Sequence, residues 1–221
     1  MKKFSFNDKS FLFDMDGVLI NSMEGHYLAW QKAATAYGFS IDREEVYLRE
    51  GEKGTVSGRD FLIMNNRDSS PDAVAGLLAH KELVYSAMPP GKIYPHVEDI
   101  LKLLKANGIS MALVTGTSRA ELDKTLPAYI STYFPVKITG DMVKHGKPHP
   151  EPYLMALEQL GISPEEAVVV ENAPYGIKSA KTANIFTVAL CTSLPEQHLS
   201  QSDMIFHTHQ QLYIFLTSML V

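Results

Sequence analysis

The sequence predicts an α/β protein: a Rossmann-like, three-layer core around a parallel sheet, carrying an inserted small all-α cap. Three observations carry this reading. From Tyr94 onward, short apolar strands alternate with helices, the pattern of right-handed crossovers and a parallel sheet. An apolar strand around Phe11-Leu12-Phe13 stands far upstream of that alternation. Between the two, residues 22–88 read as helical throughout, with no strand signal. The core is therefore expected over 1–21 and 89–221, and the cap over 22–88.

Composition bounds the function classes. The chain has 221 residues, 45% hydrophobic and 20% charged, which suits a globular core with a small insertion. A net charge of −5 with scattered Lys and Arg leaves no electrostatic footprint for nucleic acid and no polybasic patch for a membrane. The one cysteine, Cys191, excludes an intrachain disulfide and fits a reducing cytosol, so a cytoplasmic location is expected. The start, Met1–Lys9, is basic but has no apolar stretch, so no signal peptide is read there. No run is long and apolar enough to span a bilayer. A monomer or weak homo-oligomer is expected.

Within the cap, Asn21-Ser22 can cap a helix whose Met23, Tyr27, Trp30, Ala34 and Tyr37 recur near helical spacing up to Gly38. A second helix is read over Asp42–Glu50, then a glycine-rich loop from Gly51 to Gly58, then a third over Ser57–Asn65. Ser70-Pro71 opens the fourth, with Ser as N-cap and Pro at the first helical position, running to Met88 before Pro89-Pro90-Gly91 breaks it.

In the core, helices are read over Val97–Asn107, Arg119–Leu126, Pro150–Leu160 and Tyr175–Ala183. Strands are read over Ile109–Val114, Val136–Thr139, Ala167–Val170, Ile185–Leu190 and Met204–Phe206, and a last helix over Leu212–Val221. Ligands of open parallel sheets bind beyond the carboxyl ends of the strands. Asp14 and Asp16, Thr115, and Glu171 with Asn172 each follow an apolar strand, so their polar groups are expected to converge on one edge. The cap grows from that same edge, where it can act as a lid.

Asp14 and Asp16 stand on alternate residues of what reads as one strand, which points both carboxylates to one side. Like charges that close need a cation, a shared proton or a division of labour. Gly17 then permits a sharp turn.

Four pieces now stand in order: Asp14-Met15-Asp16-Gly17-Val18, Thr115-Gly116-Thr117, Gly146-Lys147-Pro148 and Val170-Glu171-Asn172-Ala173-Pro174. Together they resemble the haloacid dehalogenase superfamily, in its phosphatase and β-phosphoglucomutase-like branch with a helical cap. The resemblance covers essentially the whole chain. It implies that Asp14 is a nucleophile forming an aspartyl phosphate. Asp16 is implied as the acid and base, and pairing logic suggests it holds a proton beside an ionised Asp14. Thr115 and Gly116 would bind phosphoryl oxygens, and Lys147 would neutralise charge on the phosphoryl group and on Asp14. The implied cofactor is Mg2+, held by Asp14, Asp16, Glu171 and Asn172. The family commonly has a second acid where this chain has Asn172.

The implied substrate is a small phosphorylated metabolite. His26 matches a residue at the core–cap junction that would touch Asp16, and Lys53 is a candidate cap contact to substrate. Lys81 on the last cap helix can face the cleft, and Arg119 can either greet a charged substrate or cap its own helix. Where a phosphomutase would place a second cation, the loop Glu50-Gly51-Glu52-Lys53-Gly54 has glycine, so hydrolysis is favoured, with mutase chemistry as the alternative because Lys53 and Arg59 lie nearby and could substitute.

Overall fold

The computed structural model describes residues 5–220. The first four residues of the Met1–Lys9 stretch, and with them the start of the core, lie outside the described residues, as does Val221 at the end of the last helix read from sequence. The chain begins with β1 (Ser10–Phe13) and β2 (Ile20–Asn21). Four helices follow: α1 (Met23–Ala36), α2 (Arg43–Leu48), α3 (Gly54–Met64) and α4 (Pro71–Ser86). Then come β3 (Lys92–Ile93), α5 (Val97–Ala106), β4 (Met111–Val114), α6 (Arg119–Thr125), α7 (Ala128–Ser131) and β5 (Val136–Ile138). The last part is α8 (Glu151–Leu160), β6 (Ala167–Glu171), α9 (Pro174–Thr182), β7 (Phe186–Leu190), β8 (Met204–Phe206) and α10 (His209–Leu220).

Six strands form one parallel sheet in the order β5-β4-β1-β6-β7-β8, flanked by helices. The first strand in sequence is thus central, which explains its apolar run: a strand covered on both faces has no polar side. Phe11 stands level with Met111 on one side and Val168 on the other. Phe11, Phe13, Leu113, Val168 and Val170 face Ile100 and Leu104 of α5 and Leu216 of α10. Leu12, Ala112, Val114 and Val169 face the opposite way, onto Tyr153 and Leu157 of α8 and Ala180 of α9. Phe11 and Leu12 are completely buried, each worth roughly 1.5–3 kcal/mol of transfer free energy. A one-residue slip would exchange the two faces.

The helices α1 to α4 pack on one another, with Trp30 edge-on to Phe61 at 5.2 Å. Ser70 caps α4, its hydroxyl accepting from the Ala73 amide, and Pro71 takes the first helical position. Their apolar cluster continues into Ile177, Ala189, Leu194 and Leu199 of the α/β part. The helical segment therefore leans on the β7 flank instead of hanging from its two linkers alone.

Four details differ from the sequence reading. The first strand ends at Phe13, so Asp14 and Asp16 lie in the turn beyond it and are not brought together by strand alternation. The linkers at Ile20–Asn21 and Lys92–Ile93 pair as an antiparallel ribbon, too short to show any period in sequence. Helix α3 starts at Gly54, inside the stretch read as loop, because Lys53 serves as its extended N-cap. The short α7 was not read at all. Among the described residues, no helix is long and apolar enough to cross a membrane.

Candidate active site

The three central strands deliver their polar residues to one place. Asp14 follows β1 with its amide donated to the Val170 carbonyl, and Thr115 follows β4 with its amide donated to Ile138. Glu171 ends β6, and Asn172 follows it. Asp14, Asp16, Thr115, Lys147, Glu171 and Asn172 are all buried. The turn after Asp14 folds on Met15, whose carbonyl accepts from Val18, Leu19 and Ile20. Gly17 is required there on two counts: its φ is +83°, and a Cβ would come within 2.0 Å of the Asn172 side chain.

Lys147 is the hub. Its ammonium donates to Asp14 Oδ1 at 2.6 Å, Glu171 Oε1 at 2.6 Å and the Val114 carbonyl at 3.0 Å, which uses all its protons. Burial alone would push this lysine down; Asp14 and Glu171 overcome that and hold it well above its ordinary value. Tyr153, given no role by the sequence reading, donates its hydroxyl to Glu171 Oε1 at 2.8 Å. The Asn172 amide donates to Glu171 Oε2 at 3.0 Å. Both Glu171 oxygens thus already serve to place Lys147, Tyr153 and Asn172.

Asp16 receives a different shell. Ser22 Oγ donates to Oδ1 at 2.5 Å, His26 Nε2 lies 3.2 Å from the same oxygen, and Thr117 Oγ1 donates to Oδ2 at 3.1 Å. Burial raises its proton affinity, but the charge and hydrogen bonds of His26, with Ser22 and Thr117, outweigh that and hold Asp16 below the usual carboxylate value. Asp14 moves the other way, pushed up to about 8 by burial, with Glu171 and Asp16 adding and Lys147 opposing. Pairing logic assigned the higher proton affinity to Asp16. The ordering runs the other way: burial, with the charges of Glu171 and Asp16, outweighs Lys147 at Asp14, whereas His26, Ser22 and Thr117 outweigh burial at Asp16.

The remaining expected residues are placed as follows. Thr115 Oγ1 accepts from the Thr117 amide at 3.1 Å, leaving its own proton free to donate. Gly116 and Lys53 line a cavity of about 330 Å³ between the cap and the sheet edge. The Lys53 ammonium donates to the Val143 carbonyl at 2.5 Å. His26 stacks on Tyr85 at 4.2 Å, and the buried Lys81 ammonium stands 4.9 Å from the centroid of the same ring. Arg119 pairs with Asp123 four residues on, within its own helix. Arg49, next to the cavity, is held by Glu45, Glu52 and Asp60.

Glu50 is one of the cavity residues that the sequence does not single out. It is half-buried there, and burial first and then the charges of Asp16 and Asp14 push its carboxyl well above its ordinary value. In sequence it is one charge among Arg49, Glu52 and Lys53, with nothing to set it apart.

Two buried oxygens lack any hydrogen-bond partner: Asp14 Oδ2 and Asn172 Oδ1. Buried polar atoms are rarely left so. Both are hard oxygen donors beside a strongly anionic cluster, the donor chemistry that suits Mg2+. Among the described residues, no group of three or more His, Cys, Asp or Glu is arranged to hold a metal, so a cation held here would have to draw on the Asn172 carboxamide as well as on Asp14.

A central strand followed by two acids in a turn, and a buried lysine clamped between carboxylates, define a class, and comparison with known proteins agrees. The family model of the haloacid dehalogenase-like hydrolases matches residues 11–190, and the chain belongs to that family. It is thus a haloacid dehalogenase-like enzyme. It is 33% identical over 79% of its length to a phosphorylated carbohydrates phosphatase of Thermotoga maritima, covering 81% of that protein. It is 30% identical over 93% of its length to hexitol phosphatase A of Escherichia coli, covering 94% of that protein. A solved structure of a candidate β-phosphoglucomutase from Bacteroides vulgatus superposes with a TM-score of 0.85 at 32% identity, covering 98% of this chain and 91% of that one.

Proposed function

We propose that this protein is a Mg2+-dependent phosphatase that hydrolyses a small phosphomonoester, a sugar phosphate by class, through an aspartyl phosphate on Asp14. The observation that carries the reading is the contrast within the acidic pair. Asp14 keeps a buried oxygen, Oδ2, free of any partner, whereas both oxygens of Asp16 are held. The relatives' activities on phosphorylated carbohydrates and hexitol phosphates support the substrate class.

In this reading an Asp14 oxygen attacks phosphorus while the bond to the leaving oxygen breaks. The entering phosphoryl anion lies beside Asp16 and raises its proton affinity, so that Asp16 can carry the proton the leaving alkoxide needs. Water then attacks the aspartyl phosphate, giving its proton to Asp16, and the phosphorus–oxygen bond to Asp14 breaks to release inorganic phosphate. Thr115 donates its free hydroxyl proton to a phosphoryl oxygen, and Lys147 offsets charge on Asp14 throughout. Asp14 and Asn172, with Asp16 and Glu171 alongside, would hold the Mg2+, which screens the repulsion between two anions.

Hydrolysis is favoured over mutase chemistry because a mutase must also fix a second phosphate. Of the cap cations at the cavity, Arg49 is bound to three carboxylates and Lys53 to a carbonyl, which leaves Lys81. The test is to supply Mg2+ and a panel of sugar phosphates, including β-glucose 1-phosphate primed with its bisphosphate, with Asp14→Asn as blank. Release of inorganic phosphate is expected. Glucose 6-phosphate without phosphate release would establish the mutase instead.

A further inference from the structure

Tyr85 takes no part in the reaction above. It stands half-buried in the last turn of α4, and its ring lies directly on α1: a Cβ at Gly25 would come within 3.3 Å of Tyr85 Cε2. The missing side chain at Gly25 leaves the room that the ring occupies. There the ring stacks on the imidazole of His26, with 4.2 Å between centroids and 14° between planes.

The other contact of that imidazole is at its edge, where Nε2 meets Asp16 Oδ1 at 3.2 Å. Asp16 is held in its ionised form, and a carboxylate only accepts, so Nε2 carries the proton. At this length the bond is at the far end of the N–H···O range and depends on direction. The torsion that turns an imidazole about its Cβ–Cγ bond is broad, so α1 alone does not set the plane of the ring. The face of Tyr85 does, because two stacked rings share one plane direction and Nε2 is then kept at Oδ1.

His26 and Lys81 line the cavity between the cap and the sheet edge, whereas Tyr85 lines a neighbouring cavity of about 340 Å³ with Met88, Pro89 and Pro90. The Lys81 ammonium makes no ion pair among the described residues; its contacts are the rings of Tyr85, at 4.9 Å, and Trp30, at 5.9 Å. An aromatic face attracts a cation, so Lys81 helps to hold the Tyr85 ring where it is.

We propose that Tyr85 is a positioning residue for Asp16: its ring fixes the plane of His26, and His26 holds the carboxylate that exchanges a proton with the leaving oxygen. This rests on the role given to Asp16 in the proposed reaction. Because Tyr85 works from outside the substrate's cavity, its effect falls on turnover more than on KM.

The experiment compares Tyr85→Leu and Tyr85→Phe with wild type, each alone and in a His26→Ala background, on the sugar phosphate that wild type hydrolyses best. Tyr85→Phe keeps the stacked face, and its kcat should stay within about twofold of wild type. Tyr85→Leu should lower kcat about tenfold, part of what a positioned acid and base supplies, with a smaller change in KM. In the His26→Ala background the same substitution should change kcat by less than about twofold, because the residue through which it acts is gone. An undiminished effect in that background would show that Tyr85 acts elsewhere, and would overturn the proposal, as would an unchanged kcat in Tyr85→Leu.

A second readout needs no substrate. Proton spectra of protein carrying 15N-labelled histidine follow the His26 Nε2 proton, assigned by its absence in His26→Ala. It should exchange slowly with water in wild type and in Tyr85→Phe, and be lost to exchange in Tyr85→Leu. Should Tyr85→Leu fail to fold, Gly25→Ala tests the same contact, since its methyl at 3.3 Å displaces the Tyr85 ring without removing it, and the same loss is expected. A proton equally protected in the displaced variant, or unprotected in wild type, would show that Tyr85 does not fix His26. If the spectra come out as expected but wild type releases no phosphate from any member of the panel, the reaction falls, and with it the part of Tyr85 in that reaction.

Discussion

Lys53 Nζ donates to the carbonyl oxygen of Val143 at 2.5 Å, joining the N-cap of a cap helix to a core loop. The cap thus has a polar latch on the core, opposite the two-strand ribbon where the chain leaves and re-enters it. A hydrogen bond from a charged donor contributes about 1.5–3 kcal/mol.

Replacing Lys53 by Met removes the latch and keeps the apolar stem. The expected outcome is faster hydrogen exchange in residues 50–54 and 143–147, with a higher KM and a smaller change in kcat. Unchanged exchange at those amides would show that the latch does not hold the cap closed.

Lys147 ties Asp14 to Glu171 and, in the proposed reaction, offsets charge on Asp14. Lys147→Met would leave Asp14 and Glu171 buried without their shared ammonium. Breaking a buried ion pair from one side costs about 3–5 kcal/mol. The denaturant midpoint should fall accordingly with the slope unchanged, and phosphate release should be lost. A double variant with Glu171→Gln should recover part of the stability and none of the activity. A midpoint equal to that of wild type would refute the clamp.

Much of this was legible in the sequence, and the physical reason is burial. A sheet covered on both faces writes continuous apolar runs such as Phe11–Phe13 and Ala167–Val170, and each polar residue that follows such a run is already at the sheet edge. What escaped had no such signature. Asp14 and Asp16 meet through a turn folded on the Met15 carbonyl, not through strand alternation. The relative proton affinities of the two acids depend on Ser22, His26 and Thr117, two of which arrive from across the linker and one from another strand's loop. Glu50 is set apart from its charged neighbours only by the packing of Gly51 on Lys147, which no local pattern announces.

Asn172 offers an unpartnered carbonyl oxygen where a second acid would offer charge. Asn172→Asp is close in size and adds one negative charge at that oxygen. Mg2+ affinity should rise on the order of tenfold, about 1.4 kcal/mol, and the Mg2+-free protein should become less stable as like charges crowd Asp14. Titration calorimetry with Mg2+ reads both effects when paired with melts in chelator. Equal affinity in the two proteins would place the cation away from this side chain.

His209 carries the pH prediction. It is buried at the start of α10, its Nε2 donating to the Val18 carbonyl at 2.6 Å and its ring stacked on Tyr94 at 4.7 Å. Burial lowers its proton affinity, the Val18 carbonyl pulls the other way, and His96 lowers it further. The folded protein therefore holds this imidazole neutral where the unfolded chain, near pH 6.5, already takes up a proton. Its contribution to stability is full above that pH and is lost as pH falls from about 6.5 through the lower folded value. His209→Gln keeps a donor for Val18 and removes the titration. Urea midpoints measured from pH 8 down to pH 5 should converge for the two proteins, because wild type loses stability in that window and the variant loses less. Parallel curves would show that His209 does not set the acid limit. Because Val18 lies in the turn that begins at Asp14, the variant's phosphate release should also hold up better than wild type's toward the acid end of the window.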